Sequence, residues 1–332
     1  MIGAGAIGCL VAGYLKLKGE EVMLVGHAES VQAIKRGGLH ISGVRGVSTV
    51  ALDIAEKLGQ KPDLAILATK TQDLPLALKA NAAFIQECPV VTAQNGVRAE
   101  ALAAEVIPQE RIISSIVMFG ATYLEAGQVV HNFEGSWIIG RAYDSVPDDV
   151  VIETSKILDE VFPAVYSEDI RGMKYLKVFI NANNCIPAIL GVSMQEAFAD
   201  NEMSRISIAI WREGLAVVGK AGVRLESLPG FPVENIMKLT VLPAVEGARI
   251  FSGMMTSLSK EPLYGSILQS LKRGRASEID FINGEFIALA GRSNDSAPLN
   301  AKLVEMVHAV EKNKKFFSKE ELLRETRALC QN

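Results

Sequence analysis

The 332-residue sequence predicts two halves of different class, an α/β half over residues 1–168 and an all-α half over residues 169–332. Three observations carry this. A GxGxxG run, Gly3-Ala4-Gly5-Ala6-Ile7-Gly8, opens the chain and leads into an apolar, helix-like stretch over residues 9–18. Short apolar runs then alternate with helical patterns to about residue 168, as in a parallel sheet covered on both faces. From Arg171 long patterns of helical spacing take over, punctuated by Gly222, Gly230, Pro232 and Pro262.

Taken in order, the glycines of residues 3–8 permit a tight turn and let the backbone approach a pyrophosphate, which then sits on the amides of the helix start. Gly3, Gly5, Ala6, Ile7 and Gly8 are therefore candidate dinucleotide contacts, and the α/β half is expected to be a Rossmann-type dinucleotide-binding domain. Only Met1 and Ile2 precede Gly3, so a weakened first strand is expected. Residues 22–25 form the next strand. Past its end, His27 with the later Lys35 and Arg36 offers charge to the extra phosphate of NADP, while Glu29 offers a carboxylate to the ribose of NAD. NADP (as NADPH) is the expectation and NAD the alternative.

Strands are expected at residues 37–41, 47–52, 63–68 and 89–93, with helices at 74–85 and 98–106. Lys70 and Asn95 follow the third and fourth of these strands, on the side where ligands bind in open α/β sheets. Lys70 reads as a ligand contact or a helix-start lysine, and Asn95 as a turn and N-cap residue or a group beside the nicotinamide. Strand-like runs at 112–118, 128–131 and 137–139 are expected to extend the sheet. A helix at 148–161 and a short strand at 164–166 close the half.

In the second half, residues 173–189 read as one helix carrying Lys177, Asn181 and Asn184 towards one side. Such a lysine either snorkels to the surface or, with amides above it, grips a carboxylate or carbonyl and passes it a proton. Further helices are expected at 202–221, 263–271, 277–290, 300–312 and 318–329. Ser266 lies within the 263–271 stretch, and either Glu278 or Asp280 is expected to reach inward, as a helix–helix ion pair or as a partner for chemistry.

The totals narrow the function. A hydrophobic content of 49% with 22% charged residues describes an ordinary folded protein, and a net charge of −4 without a basic run argues against a nucleic-acid surface. Four scattered cysteines and four scattered histidines lack metal-ligand spacing, so no metal is expected, and the cysteines fit a reduced, cytoplasmic compartment. No run reaches the length of a membrane span. The apolar helical half offers surface for a homodimer.

The motifs GAGAIG, ATK at Lys70, QNG at Asn95, the Lys177–Asn181 stretch, YGSILQSL at 264–271, SEIDFINGE at 277–285 and residues 297–307 follow one another in the order and spacing of the ketopantoate reductases. The chain resembles that family over nearly its whole length. The resemblance implies a substrate held between a Rossmann domain and a helical domain, and hydride transfer from NADPH to the C2 ketone of ketopantoate, in pantothenate and coenzyme A synthesis. It also implies that Lys177 polarises the ketone and donates the proton beside Glu278. By the same likeness Asn181 and Ser266, with Asn184 on the substrate side, hold the substrate, and Lys70, Asn95 and Glu278 border the cofactor. Two positions depart from the pattern: Cys185 replaces a second asparagine, and His27 stands where a more basic residue is common. Both fit a relative acting on a different 2-oxo acid, and a dinucleotide-binding regulator without activity is the third alternative.

Overall fold

A computed structural model describes residues 1–143, 148–259 and 261–330; Gln331 and Asn332 of the expected helical half lie outside the described residues. The chain divides into two compact units, one of Met1–Gln94 with Arg98–Arg171, the other of Asn95–Val97 with Gly172–Asn332.

The first unit holds eleven strands and five helices among its described residues. They are α1 (Ala6–Leu17), β1 (Met23–Val25), α2 (Ala28–Gly37), β2 (Leu39–Gly43), β3 (Ser48–Val50), β4 (Asp53–Ala55), β5 (Ala65–Leu67), α3 (Leu74–Ile85), β6 (Val90–Thr92), α4 (Ala99–Ala104), β7 (Ile112–Val117), β8 (Gly120–Glu125), β9 (Gln128–Phe133), β10 (Trp137–Arg141), α5 (Asp149–Asp159) and β11 (Ala164–Tyr166). The expected first strand is reduced to a single residue. Ile2 bridges in parallel to both Val25 and Leu67, with its amide donating to Ile66 O at 2.8 Å and its carbonyl accepting from Ala68 N at 2.7 Å. That bridge gives the order β4-β1-Ile2-β5-β6-β7, in which the chain reverses direction of progress at Ile2 as dinucleotide-binding sheets do.

Alternation of side chains explains why both faces are dry. Ile66, Val91 and Ile113 enter a core with residues of α1 and α5, whereas Ala65, Leu67, Val90 and Ile112 enter another with residues of α3 and α4. Beyond β7 the sheet continues through antiparallel β10 and then β11, parallel to β10. The expectation that all runs from 112 to 139 extend this sheet is corrected: β9 pairs with β2, and β8 with β9, in a separate sheet of order β3-β2-β9-β8. Gly120 and Gly127 bound β8, a strand that the turn signals masked.

His131 of β9 is fully buried. Its Nε2–H donates to Phe133 O and its Nδ1 accepts from Tyr14 OH, both at 3.0 Å, because the carbonyl can only accept. Burial holds its pKa below the ordinary value, against the opposing pull of Glu134. The sign follows: between that lowered value and about 6.5 the unfolded chain binds a proton that the folded chain does not, so stability is complete above this window and is lost as pH falls through it. The expected result is a lower urea midpoint at about pH 5.5 than at about pH 7.5, with less pH dependence in His131→Gln; equal slopes in both proteins would remove this account.

The second unit is helical: α6 (Ile170–Ala182, its first two residues in the first unit), α7 (Cys185–Leu190), α8 (Met194–Phe198), α9 (Asn201–Lys220), α10 (Val233–Val241), α11 (Ala244–Thr256), α12 (Ser266–Lys272), α13 (Asn283–Arg292), α14 (Pro298–Asn313) and α15 (Lys319–Thr326). α9 forms its spine, touching α8, α10, α11, α13, α14 and α15. Helices α10 and α11 are not among the expected helices; Pro232, read as a break, precedes α10, and Pro243 precedes α11. In the fold each stands at the N-cap, where a missing N–H costs nothing. No helix among the described residues is long and apolar enough to cross a membrane.

Candidate active site

In the first unit the glycines divide their tasks. Gly3 has φ +120°, and a Cβ there would come 2.5 Å from Thr69 N; a Cβ on Gly8 would come 1.8 Å from Gly3 O. These two hold the loop tightly onto β5. Gly5, the N-cap of α1, is different: nothing lies within 4 Å of where its Cβ would be. The first turn of α1 carries no acidic residue and no side-chain cap, so the amides of Ala6, Ile7 and Gly8 have no intrahelical acceptor. Beside Gly3, Thr69 Oγ1 is buried without a hydrogen-bond partner among the described residues. Open space over Gly5 and uncapped amides fit the pyrophosphate of a dinucleotide.

Lys70 is half-buried at the start of a 3-10 turn, Thr71–Asp73, where its carbonyl accepts from Asp73 N at 3.0 Å. It is a turn-starting residue and stands at the ligand end of β5. At the end of β1 there is no carboxylate. Gly26 packs on Ala4, and exposed His27 is the N-cap of α2 without a side-chain cap bond. Lys35 and Arg36 lie in the last turn of α2, about 10 Å along the axis from its start. The helix therefore carries them away from His27.

In the second unit the single expected helix over 173–189 breaks. α6 ends at Ala182 and α7 starts at Cys185, with Asn184 N donating to Asn181 O at 2.9 Å across the junction. Lys177 and Asn181 share a face of α6, but Asn184 belongs to the turn. The Asn184 side chain lies against Gly265, 3.1 Å from that glycine's Cβ position, and Gly265 is the N-cap that precedes exposed Ser266. Asn184 and Ser266 are thus neighbours. Cys185 is fully buried, with Sγ 3.8 Å from Asn283 Nδ2, so it faces the core.

The expected helix over 277–290 is likewise corrected: Glu278 precedes a 3-10 turn, Ile279–Phe281, and α13 begins only at Asn283. Asp280 is exposed and pairs with His308 Nε2 at 3.0 Å, while Glu278 is half-buried. Asn95 joins the same unit: Asn181 Nδ2 donates to its Oδ1 at 3.3 Å. Gly96, at φ +85°, presses on the Glu278 turn, since a Cβ there would meet Phe281 O at 2.4 Å. One short loop therefore touches both the lysine helix and the Glu278 turn.

Electrostatics complete the arrangement. The Lys177 pKa is lowered to about 7, chiefly by burial and then by the nearby Lys174 ammonium, against the pull of Glu278, which raises it. Lys174 is itself buried, one helical turn before Lys177. An ammonium balanced near neutrality can both stabilise a developing oxyanion and release its proton. Sequence reasoning assigned no role to Glu213, Asn283 and Asn300; the last two are asparagines inside otherwise apolar helical patterns, and that was their signal.

Fold and site together have the parts of a dinucleotide-dependent oxidoreductase acting on a carbonyl. Comparison with known proteins agrees and narrows the class. The family profile described as ketopantoate reductase PanE/ApbA matches residues 1–143, and that of its C-terminal domain matches residues 169–311. A 2-dehydropantoate 2-reductase of Pyrococcus horikoshii is 32% identical over 94% of this chain and 96% of its own length, and one of Streptococcus pyogenes serotype M1 is 26% identical over 93% and 96%. Among solved structures, D-mandelate dehydrogenase with NADH and anilino(oxo)acetate is similar with a TM-score of 0.80 and 25% identity, over 94% of this chain and 98% of that one. The chain belongs to the ketopantoate reductase family.

Proposed function

We propose that this protein reduces 2-dehydropantoate (ketopantoate) to pantoate with NADPH, in pantothenate and coenzyme A synthesis in the cytoplasm. The observation that carries the reading is Lys177, held near neutrality on α6 beside Glu278, with Asn181 and Asn95 adjoining. The bound dinucleotide supplies a hydride to C2 of the oxo acid. Lys177 stabilises the negative charge that grows on the ketone oxygen and gives that oxygen its proton; Glu278 keeps enough of the lysine charged to do so. Asn181, Asn184 and Ser266 hold the substrate's hydroxyl and carboxylate. Gly3, Gly5, Ala6, Ile7 and Gly8 take the pyrophosphate, and Lys70 borders the dinucleotide.

NADPH is proposed over NADH because β1 ends without the carboxylate that would hold a ribose diol, and His27 stands at the open start of α2. A second reading has two specific observations behind it. Cys185 turns into the core where the family pattern has an asparagine, and D-mandelate dehydrogenase, a structural relative, is solved in complex with NADH. That favours a different 2-oxo acid. Nucleotide oxidation with ketopantoate, pyruvate, oxaloacetate and phenylglyoxylate, each with NADPH and NADH, tests both readings. The highest kcat/KM is expected for ketopantoate with NADPH, and His27→Ala is expected to lower the NADPH preference. A higher value for another acid sinks the first reading.

A further inference from the structure

We propose that Glu213, Asn300 and Asn283 form a line of hydrogen bonds that positions the end of the lysine helix, with Asn283 acting on the site through the Ala182 carbonyl. The proposal rests on the reading of Lys177 and Asn181 given above.

The last four carbonyls of α6, those of residues 179–182, have no acceptor role left inside the helix. Buried side chains from elsewhere in the second unit take two of them. Trp211 Nε1 donates to Phe179 O at 2.7 Å, and Asn283 Nδ2 donates to Ala182 O at 3.2 Å. The turn onward to α7 takes a third, through Asn184 N on Asn181 O. The helix end that bears Asn181, and stands little more than a turn from Lys177, is pinned by these contacts rather than by its own sequence.

The direction of the Asn283 amide is set from the far end of the line. The Glu213 carboxylate accepts from Leu299 N and Asn300 N at the start of α14, each at 2.8 Å, and from Asn300 Nδ2 at 2.7 Å. A carboxylate at a helix start is well placed and can only accept. Asn300 must therefore turn its NH2 to Glu213 and its Oδ1 the other way. That oxygen accepts from Asn283 Nδ2 at 2.9 Å, so Asn283 presents its NH2 to both Asn300 and Ala182 O. Asn283 and Asn300 are fully buried, and Asn283 Oδ1 has no hydrogen-bond partner among the described residues. Burying this amide is unfavourable to the fold taken by itself; what it secures is the place where α6 stops. Displacing a reacting group by about 1 Å lowers rates by roughly 100-fold, so slack in this end is expected to appear in turnover.

The test uses the full-length protein with NADPH and ketopantoate. Asn283→Ala is expected to lower kcat at least about 10-fold while the KM for NADPH stays within about two-fold, and to speed amide exchange over residues 178–187. Glu213→Ala, at the half-buried end of the line, is expected to act alike if Asn283→Ala folds poorly. Glu213→Gln keeps an oxygen for Asn300 and is expected to restore most of the activity, which a loss of packing would not allow. Wild-type kcat in both alanine variants, or unchanged exchange over 178–187, overturns the proposal. Lys177→Ala serves as the control: if it keeps its activity, the catalytic reading fails, while the exchange result still judges the positioning line by itself.

Discussion

Replacing Lys177 by alanine is expected to lower kcat for 2-oxo acid reduction by roughly 10³- to 10⁴-fold, with dinucleotide affinity left within about two-fold. The lysine is asked for two things in one step, a positive charge where the oxyanion develops and a proton for it. Its surroundings make it suited to both. Burial first and Lys174 second lower its pKa, Glu278 opposes them, and the balance stands at about 7. The acid form is the ammonium, so kcat/KM is expected to fall as pH rises through about 7. Glu278→Gln removes the group that raises the pKa and should carry this limb to lower pH; Lys174→Met should carry it to higher pH. Nucleotide oxidation followed from about pH 5.5 to 9 reads all three proteins. A Lys177→Ala protein that still turns over at the wild-type rate, or a limb unmoved by Glu278→Gln, would contradict the assignment.

Gly5→Asp is expected to weaken dinucleotide binding by roughly 100-fold or more while leaving the thermal midpoint little changed. The separation of the two effects comes from the geometry. Nothing lies within 4 Å of the added Cβ, so the fold has room for it, whereas the new carboxylate would stand at the start of α1, where the pyrophosphate charge is to sit. At Gly8 the same change would drive a Cβ into Gly3 O and damage the loop itself. Fluorescence titration of NADPH against Gly5→Asp, beside a melting curve, distinguishes the cases. Unchanged affinity would mean that the dinucleotide does not lie over Gly5.

Much of the fold and part of the site were legible because they depend on local patterns. The glycine spacing of residues 3–8, the continuous apolar runs of β5 and β6, and the lysine and asparagine four apart on α6 follow from residue type and helical or strand period. What stayed hidden lacks such a local signature. β4 buries one of its three residues, Ile54, and exposes Asp53, so its period cannot be seen in so short a run. Strand β8 lies between glycines and finds its place only through pairing with β9. The break at Asn183 and Asn184 falls inside an apolar run of helical spacing, and the Glu278 turn falls inside another.

By itself, the sequence determined that a glycine loop opens an α/β sheet, that a helical half follows, and which lysine and carboxylate are candidates for chemistry. Only the tertiary structure decided that Ile2 carries the first strand as one bridging residue, that Asn95 stands beside Asn181, that Asn184 lies against Gly265 while Cys185 turns into the core, and that Glu278 is half-buried while Asp280 is exposed. The physical reason is the range of the forces involved. Turn chemistry and side-chain periodicity act over a few residues, whereas hydrogen bonds such as Asn283 to Ala182 O, 101 residues apart along the chain, form only when packing brings their groups together.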